Sequence, residues 1–287
     1  MDIAVLHPGE MGAAVAAALT PLHRVLWCAA GRSPATRARA VAAHLEEARD
    51  LGEVARHAEV VISICPPAAA ETVAADVLAA GFAGRYLDAN AVSPTTARRI
   101  ADAVRAAGGA PIDGGIVGPP PRTPGTTRLY LSGAQAEEVA GWFAGHLLEP
   151  VVLSEAVGDA SALKASYAGW TKASAALLVA MRAHARAAGV EAALLAEWER
   201  SQPGLRERSE AALPRLLETA WRYDGEMAQI ASSMDDHGLP PELHDGAASL
   251  YRRLARLADT GTDPAEVLDA LVTDPAAEQR GDGRPAD

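Results

Sequence analysis

Short apolar segments alternate with alanine-rich helical segments through the first half of the chain. Continuous apolar runs bounded by turn residues are typical of strands that a parallel sheet buries on both faces. We predict strands at residues 2–6, 24–28, 59–64, 85–88, 110–113, 127–131 and 150–153. Between them we predict helices at residues 13–19, 35–43, 69–80, 94–107 and 135–145, and a rigid irregular loop at 114–121. This alternation is typical of a doubly wound, mostly parallel sheet.

The pattern changes near Ser154, and no segment beyond Gly158 has the pattern of a strand. The second half instead predicts helices at residues 160–188, 191–200, 205–234, 241–258 and 264–272. The first of these is longer than a small domain easily buries alone, so we expect a homodimer built on the helical region.

The predicted fold class is therefore α/β, with a Rossmann-like sheet followed by an all-helical C-terminal domain. We place the first domain at residues 1–155 and the helical domain, for substrate binding and dimerisation, at residues 156–273. Residues 274–287 are small or charged and are interrupted by Gly and Pro, which predicts a disordered tail.

Composition excludes several classes of function. The 287 residues carry a net charge of -11 without a long basic stripe, which argues against nucleic acid as a partner. No apolar run is long enough to cross a membrane, and the N-terminus has the pattern of a strand instead of a signal peptide. The cysteines, Cys28 and Cys65, fall in predicted buried strands without metal or redox spacing, so we expect a reducing, cytoplasmic setting. We expect no metal site, since adjacent residues such as Asp235, Asp236 and His237 point in different directions.

The first strand runs directly into a turn with two glycines and then into a helix. Gly9 would let the backbone approach a pyrophosphate, and Gly12 would let the helix pack tightly on the strand. The N–H groups at the start of the helix favour phosphate oxygens. His7 stands where the usual motif has its first glycine, so the turn taken alone also fits an ordinary α/β connection.

Basic residues follow the second strand, where NAD-binding proteins usually have a carboxylate for the ribose 2′-hydroxyl. There is no Asp or Glu between His23 and Thr36. Arg32, Ser33 and Arg37 would instead suit the 2′-phosphate of NADP, although an exposed basic helix start would have the same sequence. We expect Arg39 on the surface.

Lysine is rare in this chain. The only two lysines, Lys164 and Lys172, both fall on the predicted helix at 160–188. Arginine keeps its proton near neutral pH, whereas a partly desolvated lysine can release it, so a lysine retained here suggests a chemical role. Lys164 shares a helix face with Tyr167, and Lys172 is rotated well away from it.

These segments together resemble the β-hydroxyacid dehydrogenase and 6-phosphogluconate dehydrogenase superfamily, in a branch with its own helical C-terminal domain. The resemblance covers the order of the motifs from residue 1 to about 175. The similar segments are residues 7–12, 31–33, 65–66, 88–94, 113–119 and 158–167. The resemblance implies NADP as cofactor and Lys164 as the general acid/base. It also implies cofactor-binding residues, namely Pro8, Gly9, Glu10, Met11, Gly12, Arg32, Ser33, Arg37, Cys65, Pro66 and Asn90.

The chain departs from the family pattern where a substrate would bind. Val117, followed by Gly118, stands where the family has a serine that grips the substrate carboxylate. Tyr167 replaces the asparagine beside the lysine, so it is a candidate to hydrogen-bond the reacting oxygen or to donate a proton, or else a core aromatic. Glu226 and His244 are the polar candidates in the C-terminal half, and either residue type is also common in purely structural roles.

Three functions fit this sequence. The first is an NADP-dependent oxidoreductase that transfers hydride to or from a small carbonyl or hydroxyl substrate, with Lys164 handling the proton. The second is an NADPH-dependent imine reductase with Tyr167 as proton donor. The third is an NADP-binding regulator without catalytic activity. We expect Asp113 to brace its glycine-rich loop and to take no part in acid/base chemistry.

Overall fold

The computed structural model of the chain describes residues 1–143, 145, 147–258 and 263–272. These residues divide into two compact units. The sheet unit contains residues 1–167 and 232–239, and the helical unit contains residues 168–231 and the described residues from 240 onward. The sequence places the domain division at residue 156, whereas the compact units divide inside the long helix that follows. The predicted tail at 274–287 lies outside the described residues.

The sheet unit is built on an eight-stranded sheet with the order β3-β2-β1-β4-β5-β6-β7-β8 among the described residues. The strands are β1 Asp2–Val5, β2 Arg24–Cys28, β3 Glu46–Ala48, β4 Val60–Ser63, β5 Arg85–Asp88, β6 Ala110–Val117, β7 Thr127–Ser132 and β8 Leu148–Ser154. Every neighbouring pair is parallel except β6 and β7. The predicted doubly wound, mostly parallel sheet is thus confirmed. The strand order reverses between β1 and β4, and ligands of such sheets bind at the carboxyl ends of the strands around this point.

Helices cover both faces of this sheet. They are α1 Glu10–Leu19, α2 Pro34–Ala42, α3 Leu51–His57, α4 Ala70–Ala79, α5 Pro94–Ala106 and α6 Ala136–Phe143. Along β1 the side chains of Ile3 and Val5 pack in one buried cluster with α1 and α6, while those of Ala4 and Leu6 pack in another with α3, α4 and α5. Strands buried on both faces explain the continuous apolar runs in the sequence.

Two segments of the sheet unit differ from the prediction. β3 and α3 have no counterpart in the predicted elements. β3 has only three residues, two of them exposed glutamates at the sheet edge, and α3 has only seven. Residues 114–117, predicted as an irregular loop, instead extend β6 and pair with β7. The glycines there are required by close packing: a Cβ atom on Gly115 would lie 2.7 Å from the backbone oxygen of Ala160. Glycine in a strand often marks such a close approach.

The rest of the described chain is helical, as predicted. The remaining helices are α7 Asp159–Ala187, α8 Glu191–Ser201, α9 Leu205–Asp235, α10 Glu242–Leu257 and α11 Pro264–Val272. Gly189 follows α7 with a φ of 73°, a left-handed conformation that suits glycine after a helix. In the helical unit Tyr223 and Tyr251 pack edge to face with ring centroids 5.3 Å apart. None of the described helices is both long enough and apolar enough to span a bilayer.

Candidate functional site

The glycine turn between β1 and α1 has the geometry of a phosphate cradle. A Cβ atom on Gly12 would lie 2.2 Å from the backbone oxygen of His7, so only glycine lets α1 start this close to the strand. A Cβ atom on Gly9, the N-cap of α1, would meet nothing within 4 Å. Gly9 immediately precedes the first turn of α1, where backbone N–H groups lack helical partners and attract anions.

The side chains of the turn offer fewer groups to an anionic ligand than its backbone does. Pro8 is buried, and Glu10 is exposed. Met11 packs against the buried cluster that contains Ile3 and Val5. The helix also begins at Glu10, three residues before the predicted start, so Glu10 and Met11 offer first-turn amides. A ligand at this turn would therefore meet N–H groups and a bare Cα, and the turn fits a pyrophosphate.

Arg32 follows β2 and reaches back to the glycine turn. Its Nη2 atom lies 2.7 Å from Nε2 of His7. Burial and the positive charge of Arg32 lower the pKa of His7 to about 4, so the imidazole is neutral near pH 7 and accepts this hydrogen bond. The pair places a guanidinium beside the glycine turn.

The other polar residues of this segment have partners of their own. Ser33 caps α2, since its Oγ accepts from the backbone N–H of Thr36 at 3.2 Å. Arg37 donates to the backbone oxygen of Ala29 at 2.9 Å and forms an exposed ion pair with Glu47. Arg39, predicted on the surface, is half-buried, and its Nε donates to the backbone oxygen of Pro8 at 3.2 Å.

Asn90 fixes the loop after β4. Its Oδ1 accepts from the backbone N–H of Cys65 at 2.6 Å, and its Nδ2 donates to Ser63 at 3.1 Å. Cys65 lies past the end of β4 and is half-buried, which corrects the prediction of a strand position, and Pro66 beside it is exposed. Burial raises the pKa of the Cys65 thiol to about 11, so the thiol is protonated near pH 7. Asn90 thereby acts through the backbone of the loop and gives it one conformation.

Asp113 anchors the start of α7. Its Oδ2 accepts from the backbone N–H groups of Gly158 and Ser161 at 2.9 and 3.0 Å, and its Oδ1 accepts from the Ser161 hydroxyl at 2.6 Å. Oδ2 also accepts from Ser132 of β7 at 2.9 Å. Asp113 is a bracing residue, as expected, but what it braces is the N-terminus of α7 and the adjacent strand.

Lys164 projects from the second turn of α7 onto β6. Its Nζ donates to the backbone oxygen of Ile116 at 2.6 Å, and the side chain is half-buried. Ile116 lies near the carboxyl end of β6, and β1, β4, β5 and β6 run parallel, so their carboxyl ends share one edge of the sheet. The ammonium of Lys164 and the glycine turn after β1 therefore lie along the same edge.

The remaining candidates of the sheet unit differ in exposure. Tyr167 is 49% exposed, so it is not the core aromatic considered as an alternative. Val117 is a buried end residue of β6, and Gly118 adopts a φ of 128°. A Cβ atom on Gly118 would lie 2.3 Å from the backbone oxygen of Thr126, so this glycine is required by the backbone whatever the loop binds.

Glu226 and His244 lie in the helical unit. Glu226 forms an ion pair with Lys172, each side chain being 15% exposed, and the Lys172 Nζ stands 4.2 Å from the ring centroid of Tyr223. The ion pair engages Oε2 of Glu226. His244 is buried, its pKa is lowered by that burial, and its Nδ1 has no partner among the described residues.

Comparison with protein families divides the chain into two matches. The NAD binding domain of 6-phosphogluconate dehydrogenase matches residues 2–141, and a domain of unknown function, DUF1932, matches residues 185–254. No curated protein matches the sequence.

Solved structures share the fold over nearly the whole chain. A conserved hypothetical protein from Sinorhizobium meliloti 1021 is 26% identical with a TM-score of 0.70, over 94% of this chain and 95% of that one. The 3-hydroxyisobutyrate dehydrogenase of Mycobacterium tuberculosis, solved with L-serine, is 21% identical with a TM-score of 0.69, over 95% and 99%. A reductive aminase from Aspergillus terreus, solved with NADPH and ethyl levulinate, is 20% identical with a TM-score of 0.56, over 93% and 98%. The last two likenesses show a common fold.

Proposed function

Because the chain belongs to the 6-phosphogluconate dehydrogenase-like superfamily of NAD(P)-binding proteins, we propose that it is an NADP-dependent oxidoreductase of the β-hydroxyacid dehydrogenase type. Its substrate would be a small carbonyl or hydroxyl compound, and Lys164 would act as general acid/base. The observation that carries the proposal is the half-buried Lys164 ammonium at the carboxyl edge of the sheet, the edge that also bears the glycine turn.

The residues present fit the cofactor. The first turn of α1 and the open space at Gly9 would hold the pyrophosphate, Arg32 would bind the 2′-phosphate, and the loop fixed by Asn90 would line the cofactor's path. When bound, the nicotinamide would supply or accept the hydride. The preference for NADP over NAD rests on Arg32 together with the absence of a carboxylate between His23 and Thr36.

Lys164 would move the proton that accompanies the hydride. In the direction of reduction its ammonium would donate to the developing alkoxide, and in the direction of oxidation its neutral amine would take the hydroxyl proton. The bond to the Ile116 oxygen holds Nζ at the carboxyl end of β6. Val117, which carries no hydrogen-bonding side chain, would make the site less selective for a carboxylate than a serine would.

Imine reduction is the second candidate, and the exposed Tyr167 favours it. Tyr167 follows Lys164 by three residues on α7, so the two side chains lie on one face of the helix. A phenol in this place could protonate the nitrogen of an imine, and the reductive aminase with the same fold was solved with NADPH.

A panel of substrates with two variants tests these proposals. NADPH oxidation would be followed with aldehydes, 3-oxo acids and a preformed cyclic imine. For a carbonyl reductase, Lys164→Met should abolish turnover and Tyr167→Phe should retain it, whereas for an imine reductase Tyr167→Phe should be the damaging change. Tight NADPH binding by the wild-type protein with no turnover on the whole panel would instead favour the non-catalytic regulator.

We also propose a homodimer formed through the helical unit. Trp170, Leu177 and Met181 lie on one side of α7 and are 70, 53 and 41% exposed. Spacings of seven and four residues place these side chains on one stripe of the helix. An exposed apolar stripe of this kind is typical of a helix that packs against a second subunit.

A further inference from the structure

The imidazole of His7 occupies the position that the usual dinucleotide-binding turn gives to its first glycine. Nothing in the family pattern asks for a side chain there, yet this one is engaged: its Nε2 lies 2.7 Å from Nη2 of Arg32. A guanidinium can only donate, so Nε2 is the acceptor and the ring proton of the neutral imidazole resides on Nδ1. The hydrogen bond therefore has a fixed direction, from Arg32 to His7.

We propose that His7 is a positioning residue that sets the preference for the 2′-phosphorylated cofactor by holding the Arg32 guanidinium in place. This inference rests on the proposed NADP-dependent function. An arginine side chain ordered before the ligand arrives loses less conformational entropy on binding. This smaller entropy loss strengthens the binding of NADPH, which carries the 2′-phosphate. It does not strengthen the binding of NADH, because its ribose hydroxyl offers no charge for the guanidinium to bind.

The neighbouring arginines do not share this role. Arg37 is committed to the backbone oxygen of Ala29 and to Glu47, and Arg39 is committed to the backbone oxygen of Pro8 and to the hydroxyl of Thr36. Arg32 is the arginine of this segment whose side chain bonds to His7. It is thus the arginine whose orientation His7 controls.

The pair also retains unused donors. The Nε of Arg32 and the Nδ1 of His7 are both buried and have no partner among the described residues. Both atoms carry a proton, and buried N–H groups are normally satisfied by a protein acceptor, a ligand or ordered water. The Arg32–His7 pair therefore keeps two buried N–H donors that no group among the described residues accepts from.

The test is the ratio of the dissociation constants for NADPH and NADH, measured by fluorescence titration. His7→Gly restores the usual glycine and removes the acceptor, and it should weaken NADPH binding about tenfold while leaving NADH binding unchanged. His7→Gln, whose Oε1 can accept from Arg32, should keep the wild-type ratio. In an Arg32→Ala background, His7→Gly should have no further effect on NADPH binding.

Other outcomes distinguish a failure of the proposed NADP specificity from a failure of the proposed role of His7. If the wild-type protein binds both cofactors equally, NADP specificity fails and this inference fails with it. If the wild-type protein prefers NADPH and Arg32→Ala removes that preference, but His7→Gly keeps the ratio or weakens both cofactors alike, only the role of His7 is overturned. Thermal melting of each variant checks that the fold is retained.

Discussion

The Nζ atom of Lys164 lies 2.6 Å from the backbone oxygen of Ile116, so a side chain of α7 is fixed on the carboxyl end of β6. Two features upstream make this contact possible. Asp113 caps the first turn of α7, and Gly115 lets the helix approach the strand, since a Cβ atom there would also lie 3.1 Å from the Cβ of Lys164. The position of the ammonium is therefore set by the sheet as well as by the helix.

Exchange of each lysine for arginine should separate proton transfer from charge. Lys164→Arg keeps a cation but removes a group that can release its proton, and we expect kcat to fall about 10²–10⁴-fold. Lys172→Arg is the matched control on the same helix, because arginine can keep the ion pair with Glu226. Steady-state kinetics with NADPH and an active substrate measure both. Equal activity of Lys164→Arg and the wild-type protein would contradict the proposed role.

The two glycines of the turn after β1 should respond differently to alanine. Gly12→Ala puts a methyl group 2.2 Å from the backbone oxygen of His7, so α1 must shift, and we expect a loss of stability of about 1–3 kcal/mol. Gly9→Ala meets nothing within 4 Å and should fold normally, but its methyl group should obstruct the pyrophosphate. Denaturant unfolding and NADPH titration distinguish the effects. Undiminished NADPH affinity of Gly9→Ala would argue against a pyrophosphate at this turn.

Much of the sheet unit could be predicted because its signals are local. A strand buried on both faces needs a continuous apolar run, and a glycine turn precedes a helix by only a few residues, so the sequence predicts β1, β2, β4 and β5. β3 could not be, since three residues at an exposed edge need no apolar pattern. Gly114 and Gly115 were assigned to a loop because glycine usually signals a turn. The contacts that require them come from distant residues: a Cβ atom on Gly114 would lie 2.9 Å from the side chain of Leu87 in β5, and one on Gly115 would lie 2.7 Å from the backbone oxygen of Ala160 in α7.

Partners distant in sequence explain the remaining differences at the site. The sequence makes Glu226 a polar candidate from its own segment, whereas its ion pair with Lys172 joins residues separated by 54 positions. The sequence predicts Arg39 on the surface, and its side chain reaches Pro8 across 31 positions. Neither contact leaves a pattern in a single sequence. The residue types that could carry chemistry were recognisable, whereas their pairing required the fold.

Asp88 should make stability depend on pH. The carboxyl is buried at the end of β5 beside Asp113, and burial, together with the charge of Asp113, raises its pKa to about 7 from 3.8. A group whose pKa is higher in the folded state binds its proton more tightly there. It favours folding fully below pH 3.8, and this contribution is lost as the pH rises towards 7.

The substitution Asp88→Asn should remove this dependence. An amide oxygen can still accept from the backbone N–H of Asn90, as the carboxyl now does at 2.9 Å, but it cannot ionise. Between pH 5 and pH 8, we expect the free energy of unfolding of the variant to rise by on the order of 1–3 kcal/mol relative to that of the wild-type protein. Denaturant unfolding at both pH values measures the gain. Stability differences that stay equal at the two pH values would show that the Asp88 carboxyl does not titrate in this range.

A charge placed on the apolar stripe of α7 should dissociate the proposed homodimer. Trp170 is 70% exposed, and a glutamate in its place would be buried without a partner in a dimer built on this stripe. We expect the wild-type protein to sediment as a dimer at micromolar concentration and Trp170→Glu to sediment as a monomer with an unchanged circular dichroism spectrum. Leu22→Glu is the matched control, because Leu22 is 64% exposed but lies in the sheet unit, and this variant should remain dimeric. A monomeric wild-type protein would refute the homodimer. A dimeric Trp170→Glu variant would show that the dimer interface does not include this stripe.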